Sequence, residues 1–204
     1  MIRTERLLLR RFRASDRAAF AQLSADPRVT EYLAGALSRE QSDALADRIE
    51  AHFDEHGFGL FALEITGVAP FAGYVGLSVP RFEAAFTPCV EIGWRLAAEH
   101  WGSGYASEAA RAVLAHGFDV VGLDEIVSFT VPANTRSRRQ GELAIMTAKA
   151  ATSTPAIRKN MRALTPPRNK MPMAITAITM NPPMSGSANS NSPTTATATA
   201  IGIT

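Results

Sequence analysis

The 204-residue chain predicts an α+β domain, a mixed central sheet flanked by helices, and three stretches carry that expectation. Residues 58–66 and 71–79 are apolar, partly alternating runs joined by Gly67-Val68-Ala69-Pro70, the pattern of an antiparallel hairpin. Val90-Glu91-Ile92-Gly93-Trp94-Arg95-Leu96 and residues 125–131 are strand-like runs separated by a glycine turn and a helical period. A strand, crossover helix and strand joined in this way lie parallel. Ser38-Arg39-Glu40-Gln41 is a capping box ahead of Leu45, Ile49 and Phe53, so a helix runs from there to Gly57.

The remaining elements follow in order. Arg6 to Phe12 reads as a first strand, and Ala14-Ser15-Asp16 offers an N-cap for a helix to about Ser24, which Asp26-Pro27 stops. Pro80 to Pro88 is a loop whose Phe82 and Phe86 either touch a substrate or cover the sheet edge. The strand over 89–96, a helix to about Val121 and the strand over 125–131 come next, and Asn134 is a candidate N-cap for a further helix.

Composition bounds the function. Residues 1–139 hold fifteen Arg and no Lys against eighteen acids, whereas residues 140–204 hold three Arg and three Lys against Glu142 alone. The net charge of +2 is therefore set by the tail, not by a nucleic-acid-binding face. One cysteine, Cys89, precludes an internal disulfide framework and suits a reducing cytosol. With no signal-like segment and no apolar run of membrane-spanning length, a soluble cytoplasmic protein is expected. The histidines show no metal-ligand spacing, so no metal is expected.

The most informative stretch is Trp101-Gly102-Ser103-Gly104-Tyr105-Ala106-Ser107-Glu108-Ala109. Two glycines before a helix let the backbone turn sharply and leave N–H groups pointing outward, where the positive end of the helix dipole favours phosphate. A Walker loop is excluded because no lysine precedes Lys149. A dinucleotide fingerprint lacks its third glycine, and the following strand ends in Val-Pro-Ala-Asn where an acidic residue is required.

Thr4-Glu5-Arg6-Leu7-Leu8-Leu9-Arg10, Glu91-Ile92-Gly93-Trp94, the glycine turn, and Phe129-Thr130-Val131-Pro132-Ala133-Asn134-Thr135-Arg136-Ser137 occur in this order. Together they resemble the GNAT superfamily of acetyl-CoA-dependent N-acetyltransferases, with the RimJ/RimL-type branch, which acetylates ribosomal-protein N-termini, the most similar. The resemblance covers residues 1 to about 139 and implies the GNAT acyl-CoA N-acyltransferase fold. It also implies two strands that splay apart to admit the pantetheine arm; the composition, for its part, leads to the expectation of no nucleic-acid and no membrane partner. In the family the turn reads Gln/Arg-x-x-Gly-x-Gly/Ala, which maps onto Trp101, Gly104 and Ala106; Trp101 departs from it.

The resemblance makes acetyl-CoA the co-substrate and an amine the acceptor, either a protein N-terminus or a small amine such as an aminoglycoside or polyamine. Trp101, Gly102, Ser103, Gly104, Tyr105 and Ala106 are the expected diphosphate contacts, with His100 beside them. Glu91, an acid on a central strand, is either the base or anchor for the incoming ammonium or a structural partner of Arg95 or Arg81. By resemblance Asn134 contacts the pantetheine arm and Ser137 protonates the leaving thiolate; the plain alternatives are a helix cap and an ordinary hydroxyl.

Residues 140–204 read differently. All fifteen aromatic residues and all four histidines precede residue 130, while the tail carries six of seven methionines, seven prolines and runs such as Thr194-Thr195-Ala196-Thr197-Ala198-Thr199-Ala200. Such composition predicts a low-complexity, disordered tail behind an incomplete domain over 1–139, with the C-terminal strands of the sheet missing. A slipped reading frame near codon 139 or 140 would account for it; the alternative is a natural low-complexity tail, an adhesive or targeting segment. Ala151-Thr152-Ser153-Thr154-Pro155 can be encoded GCG-ACT-TCG-ACC-CCC, which read from the third base gives Asp-Phe-Asp-Pro, a phrase like those in the C-terminal strands of this branch. Loss of those strands would expose the edge of 125–131 and favour aggregation or an inactive product.

Overall fold

The apolar runs and the turns between them build one sheet. The computed structural model describes residues 1–84, 86–141, 157–164 and 173–180. Its strands are β1 (Ile2–Arg3), β2 (Leu7–Arg10), β3 (Leu60–Ile65), β4 (Ala69–Ser78), β5 (Glu91–Leu96), β6 (Glu125–Thr130), β7 (Ile157–Leu164) and β8 (Met173–Met180). They lie in the order β1-β2-β3-β4-β5-β6-β8-β7. Every neighbouring pair is antiparallel except β5 and β6, which are parallel as a crossover through a helix requires.

The helices are α1 (Arg17–Ala25), α2 (Pro27–Thr30), α3 (Arg39–His56) and α4 (Tyr105–His116), with α5 over residues 135–141. The capping box expected for α3 is formed: Gln41 N–H donates to Ser38 Oγ at 3.2 Å, and Ser38 N–H donates to Gln41 Oε1 at 2.8 Å. Asp26 ends α1 as expected, but its side chain also accepts from Arg28 N–H at 2.8 Å and so starts the short α2.

Strand periodicity divides the core between two layers. Leu77 and Ile126 point toward α4, which buries Ala109, Ala110, Val113 and Leu114. The approach is close, because a Cβ on Gly117 would fall 2.7 Å from Ile126 Cδ1 and 3.0 Å from Leu77 Cδ1. Tyr74, of opposite parity on β4, meets Phe20 of α1 across the other face, ring centroids 5.8 Å apart. The helix α3 lies against α1, with Arg17 paired to Asp43 and Asp47.

The sheet continues past β6, which corrects the expectation that its closing strands are missing. Glu125–Thr130 pairs with Met173–Met180 from Glu125↔Thr179 to Thr130↔Ala174, and β7 pairs with β8 beyond it. The physical reason is local: Ile175-Thr176 and Ile178-Thr179 are β-branched, no proline interrupts 173–180, and strand pairing uses backbone groups that need no aromatic side chain. The rest of the expected disordered tail lies outside the described residues.

At the open end of the sheet one buried cation joins four segments. Arg10, 4% exposed, donates from Nε to Glu64 at 2.9 Å, to both Asp16 oxygens at 2.7 and 3.0 Å, and to the carbonyls of Pro70 and Arg11 at 2.7 and 3.2 Å. Those bonds use the whole donor set of the guanidinium. Removing one partner of a buried pair leaves the other charged and unpaired, at a cost of about 3–5 kcal/mol. Arg10→Ala is therefore expected to lower the urea midpoint by that amount of stability, and Arg10→Lys to recover only a minor part; an unchanged midpoint would refute the role.

Candidate active site

Cross-strand geometry leaves β5 half paired. The recorded register between β5 and β6 is the single rung Glu91↔Val127, with Val127 N–H donating to Val90 O at 2.8 Å. On the other side Ala97 N–H donates to Ala72 O at 2.9 Å. Alternation along the β4–β5 ladder then turns the N–H and C=O groups of Arg95, Gly93 and Glu91 toward β4. Those of Trp94 and Leu96 face β6, beyond the rung, along an edge that has no ladder partner.

The glycine turn lies just past this edge. Gly102 and Gly104 adopt φ of +78° and +81°, the left-handed region where a side chain is strained. The amides of Gly102, Ser103 and Gly104 have no acceptor among the described residues. α4 begins at Tyr105 without a side-chain cap, so its first-turn amides, including those of Tyr105 and Ala106, are also unclaimed. Trp101 differs from expectation. Its backbone N–H donates to Ala98 O at 3.2 Å and its indole N–H to Leu96 O at 2.9 Å, so neither group is available to a phosphate.

The N-terminal motif holds this turn. Arg6 donates to the Ser103 carbonyl at 3.1 Å and from Nε to Glu108 at 2.7 Å, while Thr4 Oγ1 donates to Glu108 at 2.6 Å. The Arg6 guanidinium also covers the Tyr105 ring at 4.7 Å. Thr4 and Arg6 hold the Glu108 carboxyl below its usual range against the opposing effect of burial, the largest single influence. The sequence marked Thr4 and Arg6 as motif residues, but only the fold shows that they grip α4.

α5 closes the other side. Asn134 Oδ1 accepts from Ser137 N–H at 3.0 Å, the expected N-cap. Gln140 donates to Ser107 Oγ of α4 at 2.7 Å, and the Arg136 guanidinium lies 4.1 Å from the centroid of the Trp101 ring. The Ser137 hydroxyl has no hydrogen-bond partner among the described residues. His100 sets its ring edge-on to Tyr105 at 6.5 Å.

Glu91 is 8% exposed and has neither hydrogen bond nor ion pair among the described residues. Burial pushes its carboxyl up to about 8. Arg95, the partner one alternative assigned to it, instead lies over Tyr74 at 5.3 Å. Glu91, Gly93 and Arg95 share one face of β5, and a Cβ built on Gly93 would meet nothing within 4 Å, so open space lies beside the carboxyl. Phe82 and Phe86 close against Phe129 of β6, at 5.6 and 5.7 Å, which matches covering of that strand.

A cavity of about 350 Å³ lined by Val79, Pro88, Cys89, Val90 and Glu125 lies at the opposite strand ends from the turn. Burial, with Glu91 and Glu125 adding to it, pushes the Cys89 thiol up to about 11. The thiol is then protonated at neutral pH and is no nucleophile. Among the described residues no group of three or more His, Cys, Asp or Glu could hold a metal, and no helix is long and apolar enough to cross a membrane.

Known proteins share this fold. The acetyltransferase (GNAT) domain family matches residues 6–142. The uncharacterized protein YkkB of Bacillus subtilis is 31% identical over 140 residues, 68% of this chain and 80% of its own length. A GNAT-family acetyltransferase from Bacillus anthracis superposes with a TM-score of 0.67 at 25% identity, covering 87% of this chain and 97% of its own. Spermidine N-acetyltransferase from Vibrio cholerae, solved with CoA and spermine, shares the fold at 16% identity and a TM-score of 0.61, over 86% of this chain and 97% of its own.

Glu91 also makes a stability prediction. Its folded value of about 8 lies above the ordinary 4.5, so the folded state holds more protons between them. Stability must then fall as pH rises through that window. Thermal unfolding should show Glu91→Gln gaining on the natural chain from pH 5 to pH 9, at about 2–4 °C per kcal/mol. A gap independent of pH would contradict the burial of a lone acid.

Proposed function

The chain belongs to the GNAT acetyltransferase domain family, and from that premise we propose that it moves acetyl from acetyl-CoA to the amino terminus of a protein, as RimJ/RimL-type enzymes do. The observation that carries this reading is the adjacency of two unpaired backbone surfaces, the amides of residues 102–106 and the free edge of β5. The first suits a diphosphate and the second the amides of a pantetheine arm.

Acetyl-CoA supplies the thioester whose carbonyl carbon the amine attacks. The amides of Gly102, Ser103, Gly104, Tyr105 and Ala106 hold the diphosphate, and Asn134, whose amide nitrogen is left free by its capping bond, contacts the arm. An amide on the β5 edge donates to the carbonyl oxygen as negative charge develops on it. Glu91, reached through the space beside Gly93, takes a proton from the incoming ammonium through water. The Ser137 hydroxyl relays a proton to the departing thiolate and is itself restored by the proton that the attacking nitrogen loses as the amide forms and the C–S bond breaks. Remote contacts that orient the two reactants supply about 7–11 kcal/mol of the barrier reduction.

Acceptor choice follows from charge. On its face of β5 Glu91 is followed by Gly93 and Arg95, not by further carboxylates. A single acid beside a cation suits a monocationic amine, such as a protein N-terminus, better than a polyamine that needs several carboxylates. The arginine-rich, lysine-free domain with one cysteine is read as cytoplasmic.

A second reading, an inactive CoA-binding product of a slipped frame, is favoured by the end of the family match at residue 142, close to the compositional break. The coding DNA across codons 135–145 tests it: an uninterrupted frame in independent isolates removes this reading.

Incubation with acetyl-CoA and ribosomal proteins is expected to add one acetyl to an N-terminus by intact mass. Glu91→Gln should lower kcat by roughly 10²–10⁴ and remove the rise of kcat toward about pH 8 that the burial of Glu91 imposes. Acetylation of spermidine or an aminoglycoside, with no protein acceptor modified, would move the chain to the small-amine class. CoA binding with no thiol release from any amine would support the inactive form.

A further inference from the structure

Trp101 has committed both of its N–H groups, to Ala98 O and Leu96 O, so what it offers the turn is a flat ring. The alternation described above places the Leu96 carbonyl on the β6-facing edge of β5. A ring bonded to that oxygen therefore lies at the mouth of the gap between β5 and β6, directly before Gly102. Over this ring, 4.1 Å from its centroid, lies the guanidinium of Arg136. Arg136 comes from the first turn of α5, has an exposed side chain, and forms no ion pair among the described residues. Its charge also reaches the Tyr32 phenol through its electrostatic field.

An arginine stacked on an aromatic face keeps its in-plane N–H donors free at the rim of the ring. Stacking also fixes the long side chain in advance, so less rotamer freedom remains to be lost when a ligand arrives. Here the fixed cation stands where a chain running from the glycine turn into the β5–β6 gap has to pass. The turn supplies neutral amides and the dipole of α4, whose first-turn acid, Glu108, is already occupied by Arg6. Among the described residues the only other arginine stacked on a ring of the turn is Arg6 on Tyr105, and it is ion-paired to Glu108.

We propose that Arg136, held face-on by Trp101, is the cation that neutralises the diphosphate of acetyl-CoA, and that Trp101 is a positioning residue acting through it. The inference rests on the proposed function, since it assumes that the turn binds CoA. It assigns the charge contact to α5, across the mouth of the gap, so cofactor binding ties α5 to α4.

Titration calorimetry with CoA, dephospho-CoA and pantetheine tests the assignment on the full chain. Dephospho-CoA keeps the diphosphate and lacks the 3′-phosphate; pantetheine lacks both. Loss of a charge-assisted hydrogen bond corresponds to roughly 10- to 100-fold in Kd. Arg136→Ala is expected to weaken CoA and dephospho-CoA by that factor alike, to leave pantetheine unchanged, and to reduce the salt dependence of CoA binding. Arg136→Lys, which keeps the charge but not the planar stack, should fall between, and Trp101→Phe should retain most of the affinity that Trp101→Ala loses. Far-UV circular dichroism on each variant separates loss of contact from loss of fold.

Weakening of CoA with no effect on dephospho-CoA would overturn the assignment in favour of the 3′-phosphate. Unchanged binding by Arg136→Ala, or tighter binding that marks the stack as an obstruction, would overturn it as well. A natural chain that binds none of the three ligands would instead remove the proposed function, a result distinguishable because it precedes any substitution.

Discussion

A single parallel rung, Glu91 against Val127, joins the two strands at the centre of the sheet, and the rest of the site is arranged around the consequence. Parallel neighbours ordinarily bond along their length; these two meet once and leave the backbone of Trp94 and Leu96 facing a gap. Unpaired strand edges are a liability because any extended chain can add to them. Here the edge is enclosed: the Trp101 indole takes the Leu96 carbonyl at one end, α5 lies across the mouth, and Phe82 and Phe86 cover Phe129 on the far strand. What the single rung leaves along β5 beyond Glu91 is backbone without a ladder partner.

Two arginines near the N-terminus make that arrangement rigid, and they work by different physics. Arg10 is buried and spends every donor on Asp16, Glu64 and two carbonyls, so it fixes how β2, β3 and the start of α1 meet. Arg6 is half exposed and therefore contributes little as a salt bridge alone. Its importance is positional: it ties the Ser103 carbonyl to Glu108, while the amides of Gly102, Ser103 and Gly104 keep no acceptor among the described residues.

Glu91 shows the converse relation between stability and use. A lone carboxyl under the sheet surface favours its neutral form, and that cost is tolerated beside open space at Gly93. Perturbed acids of this kind concentrate where chemistry needs a proton moved near neutral pH. Phe82 and Phe86 carry no such signature; their rings pack on Phe129 as ordinary cover.

The chain by itself determined most of the element order. Ser38 and Gln41 cap α3 as their spacing requires, Gly57 ends it in the left-handed region, and the two glycines before α4 turn as a missing Cβ allows. These are effects of range four residues or fewer, and local sequence contains them. It also singled out Glu91, Asn134 and Ser137 as candidates, but not their surroundings. Whether Glu91 pairs with Arg95, whether Trp101 offers an amide, and whether β6 finds a partner at 173–180 were decided by the tertiary structure. Each depends on contacts between segments far apart in the chain, and the energy of a buried charge or a strand edge is set by what packs beside it, which no residue specifies alone.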